Sequence, residues 1–100
     1  MAQPDLTPLL HAAIAAEIRR VRAGLEKLAE MFVADVHFAT NYLEELQAFD
    51  QLIQHSDESA AVLDRLSGGA QPHDAVAAVR LEAVQDRLLA ALGPALNQAA

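Results

Sequence analysis

Apolar residues recur along the first third of the chain at alternating spacings of four and three positions. They are Ile14, Ile18, Val21, Leu25, Leu28 and Phe32. This spacing places all of them on one side of an α-helix. Thr7 and Pro8 precede the run and are typical of a helix start, because a threonine oxygen can cap the first turn and the missing N–H of proline costs nothing there. The pattern predicts a first helix over about residues 8–33.

A second apolar run of the same kind follows in the middle of the chain. It comprises Phe38, Tyr42, Leu46, Phe49, Ile53, Ala60 and Leu63. Between the two runs stands Asp35, whose carboxylate can accept hydrogen bonds from the free N–H groups of a first helical turn. We therefore predict a hinge at Asp35 and a second helix over about residues 36–66. One continuous helix over residues 8–66 is the alternative, and we favour the hinge because a compact domain must fold back to cover its apolar side.

Residues 67–72 (Ser-Gly-Gly-Ala-Gln-Pro) are the clearest break in the chain, since glycine ends helices and proline begins them. A third helix is predicted over about residues 72–92, ended by Gly93 and Pro94, with residues 94–100 as a frayed tail. The prediction is a single all-α domain over residues 1–100. It is an elongated antiparallel helical hairpin with a shorter third helix, in a shape that often pairs into a dimeric four-helix bundle.

Composition supports the helical prediction and narrows the function. The 22 alanines and 15 leucines among 100 residues are strong helix formers. The net charge of −7 argues against nucleic-acid binding, which needs a cationic surface. The absence of cysteine excludes disulfides and thiol chemistry. No apolar run is long enough to span a membrane, and the short run over residues 9–16 has no basic segment before it, so we expect a cytoplasmic protein.

The aromatic residues Phe32, Phe38, Tyr42 and Phe49 all lie within eighteen positions around the hinge. One interpretation is a core cluster at that end of the hairpin, because residues on an apolar stripe are usually buried. The other is a partner surface, where aromatic side chains are enriched. On the second interpretation, the candidate partner-binding residues are Phe38, Tyr42, Gln47 and Phe49.

The histidines His11, His55 and His73 raise the question of a metal site. In a hairpin that turns near residue 34 they lie at the same end, and three imidazoles with nearby carboxylates suit zinc. No two of them have the i, i+3 or i, i+4 spacing that places ligands on one helix face. We expect no metal and no cofactor, and we keep these three as the only candidate ligands.

Asp50 and Gln54 are four residues apart on the second predicted helix and therefore lie on one face, with Gln47 one turn earlier. A carboxamide on a rigid helix can orient a water molecule for attack on a phosphoryl group, while a neighbouring carboxylate pairs with a lysine of the partner. The alternative is that these three residues form ordinary solvated polar surface beside the apolar side of the helix.

The segment over residues 47–54 resembles the Q-x-x-D-x-x-x-Q segment of CheZ-type chemotaxis phosphatases. The resemblance implies a long helical hairpin that dimerises and removes phosphate from the aspartyl-phosphate of a response regulator. It would make Asp50 the acid that pairs with the regulator's lysine and Gln54 the residue that positions the water. Gln51, Leu52 and Ile53 stand where the family has small, polar residues.

These observations favour a non-enzymatic helical-bundle protein that acts through protein–protein contacts and forms a homodimer. The basic residues Arg19, Arg20, Arg22 and Lys27 of the first helix could pair with the acidic residues of a neighbouring second helix, because residues 34–66 contain seven acids and only one base. The phosphatase is the alternative function. The sequence names no partner.

Overall fold

The computed structural model describes the backbone of residues 4–99 and the side chains of residues 4–93. Within that range the chain forms five helices and no strand. They are α1 (Thr7–Val33), α2 (Val36–Asn41), α3 (Leu43–Ser67), α4 (Pro72–Ala77) and α5 (Glu82–Ala99). The all-α prediction is confirmed, and α1 and α3 form the expected long hairpin.

The start of α1 differs from the prediction in how it is capped. Thr7 is the first helical residue and its side chain caps nothing; Leu6 takes the N-cap position. The Thr7 N–H donates instead to Oδ1 of Asp5 at 2.9 Å. Hydrogen bonds from the side chain and from the backbone N–H of Thr7 lower the pKa of the Asp5 carboxyl below its ordinary value of 3.8. A carboxylate that lies before a helix can accept a hydrogen bond from an N–H of the first turn. Asp5 therefore caps α1 in place of the Thr7 side chain.

The hinge at Asp35 is present, and the continuous-helix alternative is wrong. The Asp35 carboxylate accepts a hydrogen bond from the Phe38 N–H at 3.2 Å, as an N-cap residue does. The second predicted helix breaks again at Tyr42, which has non-helical backbone angles of φ −127° and ψ 43°. Just before this break, Thr40 donates to the Val36 carbonyl at 2.8 Å and Asn41 donates to the His37 carbonyl at 2.9 Å. Such side-chain bonds compete with the helical ladder, which explains a break that the apolar spacing does not reveal.

The third predicted helix is also two helices. The chain leaves helical geometry between α4 and α5, where the Arg80 N–H donates to Oε1 of Glu58 on α3 at 2.9 Å rather than to a helical carbonyl. At the other end, α5 continues through Gly93 and Pro94, which were expected to stop it. The φ angle of proline is compatible with a helix, so its cost is one missing hydrogen bond to the carbonyl four residues earlier.

The helices lie side by side in one layer, with α3 in the centre. Ala60 of α3 lies on the side that meets α1, whereas Val62, about 200° around the helix, packs against Ala75, Val79 and Val84 from the α4–α5 segment. The molecule measures 60 × 33 × 16 Å and is therefore elongated and flat. Its radius of gyration is 17.4 Å, against about 13 Å for a compact chain of this length.

A single layer buries little. Among the described side chains, the buried residues are all alanine or valine, namely Ala15, Ala60, Val62, Ala75, Val76, Val79 and Val84. The larger apolar side chains are half-buried or exposed. The fold therefore leaves both broad surfaces of the hairpin open.

Candidate functional site

One broad surface of the hairpin is apolar. Its exposed residues are Leu10, Ile14, Val21, Leu28 and Met31 of α1 with Leu52 of α3, and we call this set the apolar face. A groove of about 490 Å³ along α1 is lined by Val21, Leu28 and Met31. A second groove, of about 310 Å³, lies between α1 and α3. Its lining combines the apolar Ile18, Val21 and Leu52 with the polar His55, Ser56 and Ser59. Val21 lines both grooves, so the apolar residues of α1 continue as far as Leu52 of α3.

The position of α3 against α1 explains why this face is left uncovered. We expected the apolar run of α1 to face the hairpin interior. Instead, Ala15 is fully buried and Val21 remains 62% exposed. Small alanines let α3 approach α1 closely, so the contact line follows Ala15 and Ala29 rather than Val21 and Leu28. The apolar run is therefore turned partly out of the interior.

The opposite surface of the hairpin is ionic. Arg19 Nη2 lies 2.6 Å from Oδ2 of Asp64, and Arg22 contacts Asp57 and Glu26 at 2.7 Å each. The Arg22 Nε–Asp57 contact has the distance of an ion pair without the alignment of a hydrogen bond. We call these five residues the ionic face. At about 100° per residue, Arg19 and Glu26 lie roughly 160° and 140° around α1 from Val21, which places the two faces on nearly opposite sides.

These ion pairs correct one expectation. The arginines of α1 were predicted to meet the acidic helix of a neighbouring molecule. Arg19 and Arg22 instead pair with α3 of their own chain, and Arg20 pairs with Glu17 at 2.8 Å. The hairpin brings the basic helix beside its own acidic helix, so charge complementarity is used within the molecule. The hydrogen bond to Asp64 also raises the pKa of Arg19 above its ordinary value.

The aromatic residues cluster around the hinge. The Phe38 ring stacks on Phe32 with centroids 4.5 Å apart and on Tyr42 at 4.8 Å, and Phe32 lies 5.7 Å from Phe49. The three phenylalanines are half-buried, whereas Tyr42 and Gln47 are exposed. The break at Tyr42 lets α2 fold back far enough for this stacking. The four rings therefore pack against one another around the hinge.

Asp50 and Gln54 are both exposed, but they line different grooves. Asp50 lies in a groove of about 520 Å³ between α1 and α3, together with the carboxylates of Glu26 and Glu30. Gln54 lies in a groove of about 580 Å³ between α3 and the segment leading to α5, near Arg65 and Arg80. The half-buried Ile53 lines the Asp50 groove.

Two polar residues of the Gln54 groove, Arg65 and Glu58, hold the backbone of the α4–α5 segment together with Gln85 of α5. Arg65 donates to the Ala75 carbonyl at 3.0 Å, and Gln85 donates to the Ala77 carbonyl at 3.0 Å. Glu58 accepts from the Arg80 N–H, as described above. Two short helical ends leave several backbone groups without helical partners, and these side chains satisfy them. The roles of Arg65, Gln85 and Glu58 were not predictable from apolar spacing, which indicates one helix where the structure has α4 and α5.

The histidines are spread out rather than gathered. From the Arg19–Asp64 and Arg22–Asp57 pairs, His11 and His55 lie about 20 to 25 Å apart along the hairpin axis at 1.5 Å per residue. The prediction that they share a height is wrong, because the turn extends to Tyr42 and shifts the register of α3. In the described part of the chain, no three His, Asp or Glu side chains converge into a metal-binding group, and His73 lies at the start of α4.

Comparison of the chain with profiles of known protein families, with curated protein sequences and with solved structures gave no match. Among the described residues, none of the helices has the length and apolar character required to cross a membrane.

Proposed function

We propose that this chain is a non-enzymatic helical protein that acts through protein–protein contacts, with the apolar face as its contact surface. One observation carries the proposal: a continuous apolar surface stays exposed on a molecule only 16 Å thick. Continuous apolar surfaces on soluble proteins mark interaction sites, whereas single exposed apolar residues are ordinary. We propose the cytoplasm as the place where it acts.

The energetics support a contact surface of this size. Full burial of a Val, Leu, Ile or Met side chain contributes about 1.5–3 kcal/mol. The six residues of the apolar face are 40–65% exposed. Covering about half of each side chain would therefore contribute on the order of 5–9 kcal/mol before the costs of association. That amount is comparable with the whole stability of a small domain, about 5–15 kcal/mol.

The experiment compares two charge insertions on α1. Val21→Arg places a cation in the apolar face, and Ala23→Arg adds the same side chain at an exposed position about 200° around the helix. Tagged wild-type and variant proteins are expressed in the native organism, and the bound proteins are quantified. Proteins lost with Val21→Arg and kept with Ala23→Arg support the proposal. The same bound set with all three proteins contradicts it.

The response-regulator phosphatase is the second candidate, and one observation favours it. Asp50 and Gln54 are both exposed and four residues apart on α3, so both side chains are open to a partner although they line different grooves. The test measures the decay of phosphate from co-encoded receiver domains in magnesium. Faster decay that is abolished by Gln54→Ala and kept by Gln51→Ala, another exposed glutamine on α3, supports it. Decay at the spontaneous rate with every regulator rules it out.

A further inference from the structure

We infer that the occupant of the apolar face is a second copy of this chain, packed antiparallel so that two hairpins form a four-helix bundle. The inference rests on the proposed function, because it names the partner for the same surface. Four-helix bundles bury the open sides of two hairpins in one shared core, and symmetric dimers are the commonest assemblies. A second layer would give this single-layer molecule the core that it lacks.

The area of the face is sufficient for a stable dimer. The apolar residues of α1 extend from Leu10 to Met31, about 32 Å at 1.5 Å per residue, and two neighbouring helices are about 20 Å wide. Each copy therefore offers about 600 Å², polar side chains of α3 included, and the pair buries about 1,200 Å², at the lower limit of specific interfaces.

The charge distribution allows two copies to meet despite the net charge of −7. The six residues of the apolar face are uncharged, and the charges beside them on α1 are of both signs, Glu17 and Lys27, of which Lys27 lines the Val21 groove. The five residues of the ionic face are held in ion pairs within the molecule and point away from the second copy in this arrangement. Charged residues are depleted in the same way at the cores of homodimer interfaces.

The flanking charges on α1 select the antiparallel orientation. Glu17 and Lys27 lie five residues before and after Arg22, on the exposed side of α1, and Glu17 also pairs with Arg20 of its own helix. When two α1 helices pack antiparallel about this position, Glu17 of each copy faces Lys27 of the other. A parallel pair places like charge beside like charge. Exposed pairs add little affinity, but their arrangement decides orientation.

Gly24 provides room at the centre of this contact. A β-carbon placed on Gly24 would meet no other atom within 4 Å, so the surface there is open. In the antiparallel arrangement Val21 of one copy lies over Gly24 of the other. A side chain packed over a glycine lets two helices approach closely.

Sedimentation velocity of the purified protein at about 20 µM tests the inference, in the range where a micromolar dimer is populated. We expect the wild type and Ala23→Arg to sediment as dimers. Val21→Arg should weaken dimerisation at least 100-fold, because two valines leave the interface and two cations enter it. A monomeric wild type, or a dimer that Val21→Arg leaves intact, overturns the inference. Circular dichroism checks that each variant keeps its helices.

Single cysteines test the orientation without relying on a destabilised variant, since the chain has no cysteine of its own. In the antiparallel pair, two copies of Val21→Cys lie within reach of a disulfide, which needs a Cα separation below about 7 Å. Two copies of Leu28→Cys lie about 18 Å apart along the axis. We expect rapid oxidation to a covalent dimer for Val21→Cys only. Equal crosslinking of both variants, or of neither, overturns the antiparallel arrangement.

The two proposals can fail separately. If the wild type is monomeric while Val21→Arg still loses bound proteins in the native organism, the second copy is wrong and the contact surface stands. If the wild type is dimeric and Val21→Arg breaks the dimer, while no other protein is bound, the second copy stands as the partner. If Val21→Arg changes neither result, both proposals are wrong.

Discussion

Phe38→Ala tests whether the aromatic cluster is packing rather than a partner surface. The Phe38 ring is stacked between Phe32 at 4.5 Å and Tyr42 at 4.8 Å. Helix α2 has six residues, too few for a stable isolated helix, so tertiary contacts must hold it. Removing the ring removes the contacts that join α2 to the end of α1.

The expected loss follows from burial and stacking. Replacing a fully buried phenylalanine by alanine costs about 3–5 kcal/mol, and Phe38 is half-buried, which reduces this to about 2 kcal/mol. Each favourable ring pair adds about 0.5–1.5 kcal/mol, part of which the burial figure already includes. We therefore expect Phe38→Ala to lower the free energy of unfolding by about 2–3 kcal/mol.

Urea denaturation at one fixed protein concentration measures this change, since association would make stability concentration-dependent. Val36→Ala is the matched control, because Val36 lies in the same helix and is 79% exposed. Its effect should stay within about 0.5 kcal/mol. A loss below about 0.5 kcal/mol for Phe38→Ala, or one equal to that of the control, would refute the packing account.

Two further predictions concern the turn after α3 and the start of α1. Gly69 has a φ of 100°, whereas Gly68 has a φ of −80° and room for a β-carbon. In urea denaturation, Gly69→Ala should therefore lower the free energy of unfolding by about 1 kcal/mol, and Gly68→Ala should be neutral or stabilising. Equal effects of the two substitutions would contradict the left-handed conformation at Gly69. Hydrogen bonds from Thr7 lower the pKa of Asp5, so the carboxylate favours the folded helix start above pH 3.8 and this contribution is lost as the pH falls through the lowered value. An NMR titration should place the Asp5 midpoint below 3.8, and Asp5→Asn should increase amide exchange at the first turn; a midpoint at or above 3.8 would argue against the cap.

Strong local signals in the sequence were sufficient to predict some boundaries. Gly68, Gly69 and Pro72 mark the turn between α3 and α4, and Asp35 marks the hinge, because each acts through its own backbone or side chain. The break at Tyr42 was not predictable from apolar spacing, which continues through it. The break before α5 has no glycine or proline, and it depends on Glu58, 22 residues away from Arg80.

The exposed side of α1 could not be predicted from the sequence for a related reason. Ala15 and Val21 lie about 120° apart around the helix, and both belong to lines of apolar residues with helical spacing. Which line meets α3 depends on how closely the two helices approach and on the ion pairs of Arg19 and Arg22. Only the tertiary arrangement decides this, so the hairpin was predictable and its open surface was not.

Sedimentation velocity of the wild type beside Val21→Arg and Ala23→Arg decides whether a second copy fills the apolar face. We expect a species of twice the chain mass of 10.7 kDa for the wild type and Ala23→Arg, and a monomer for Val21→Arg. A wild-type protein that sediments as a monomer at about 20 µM would contradict this expectation.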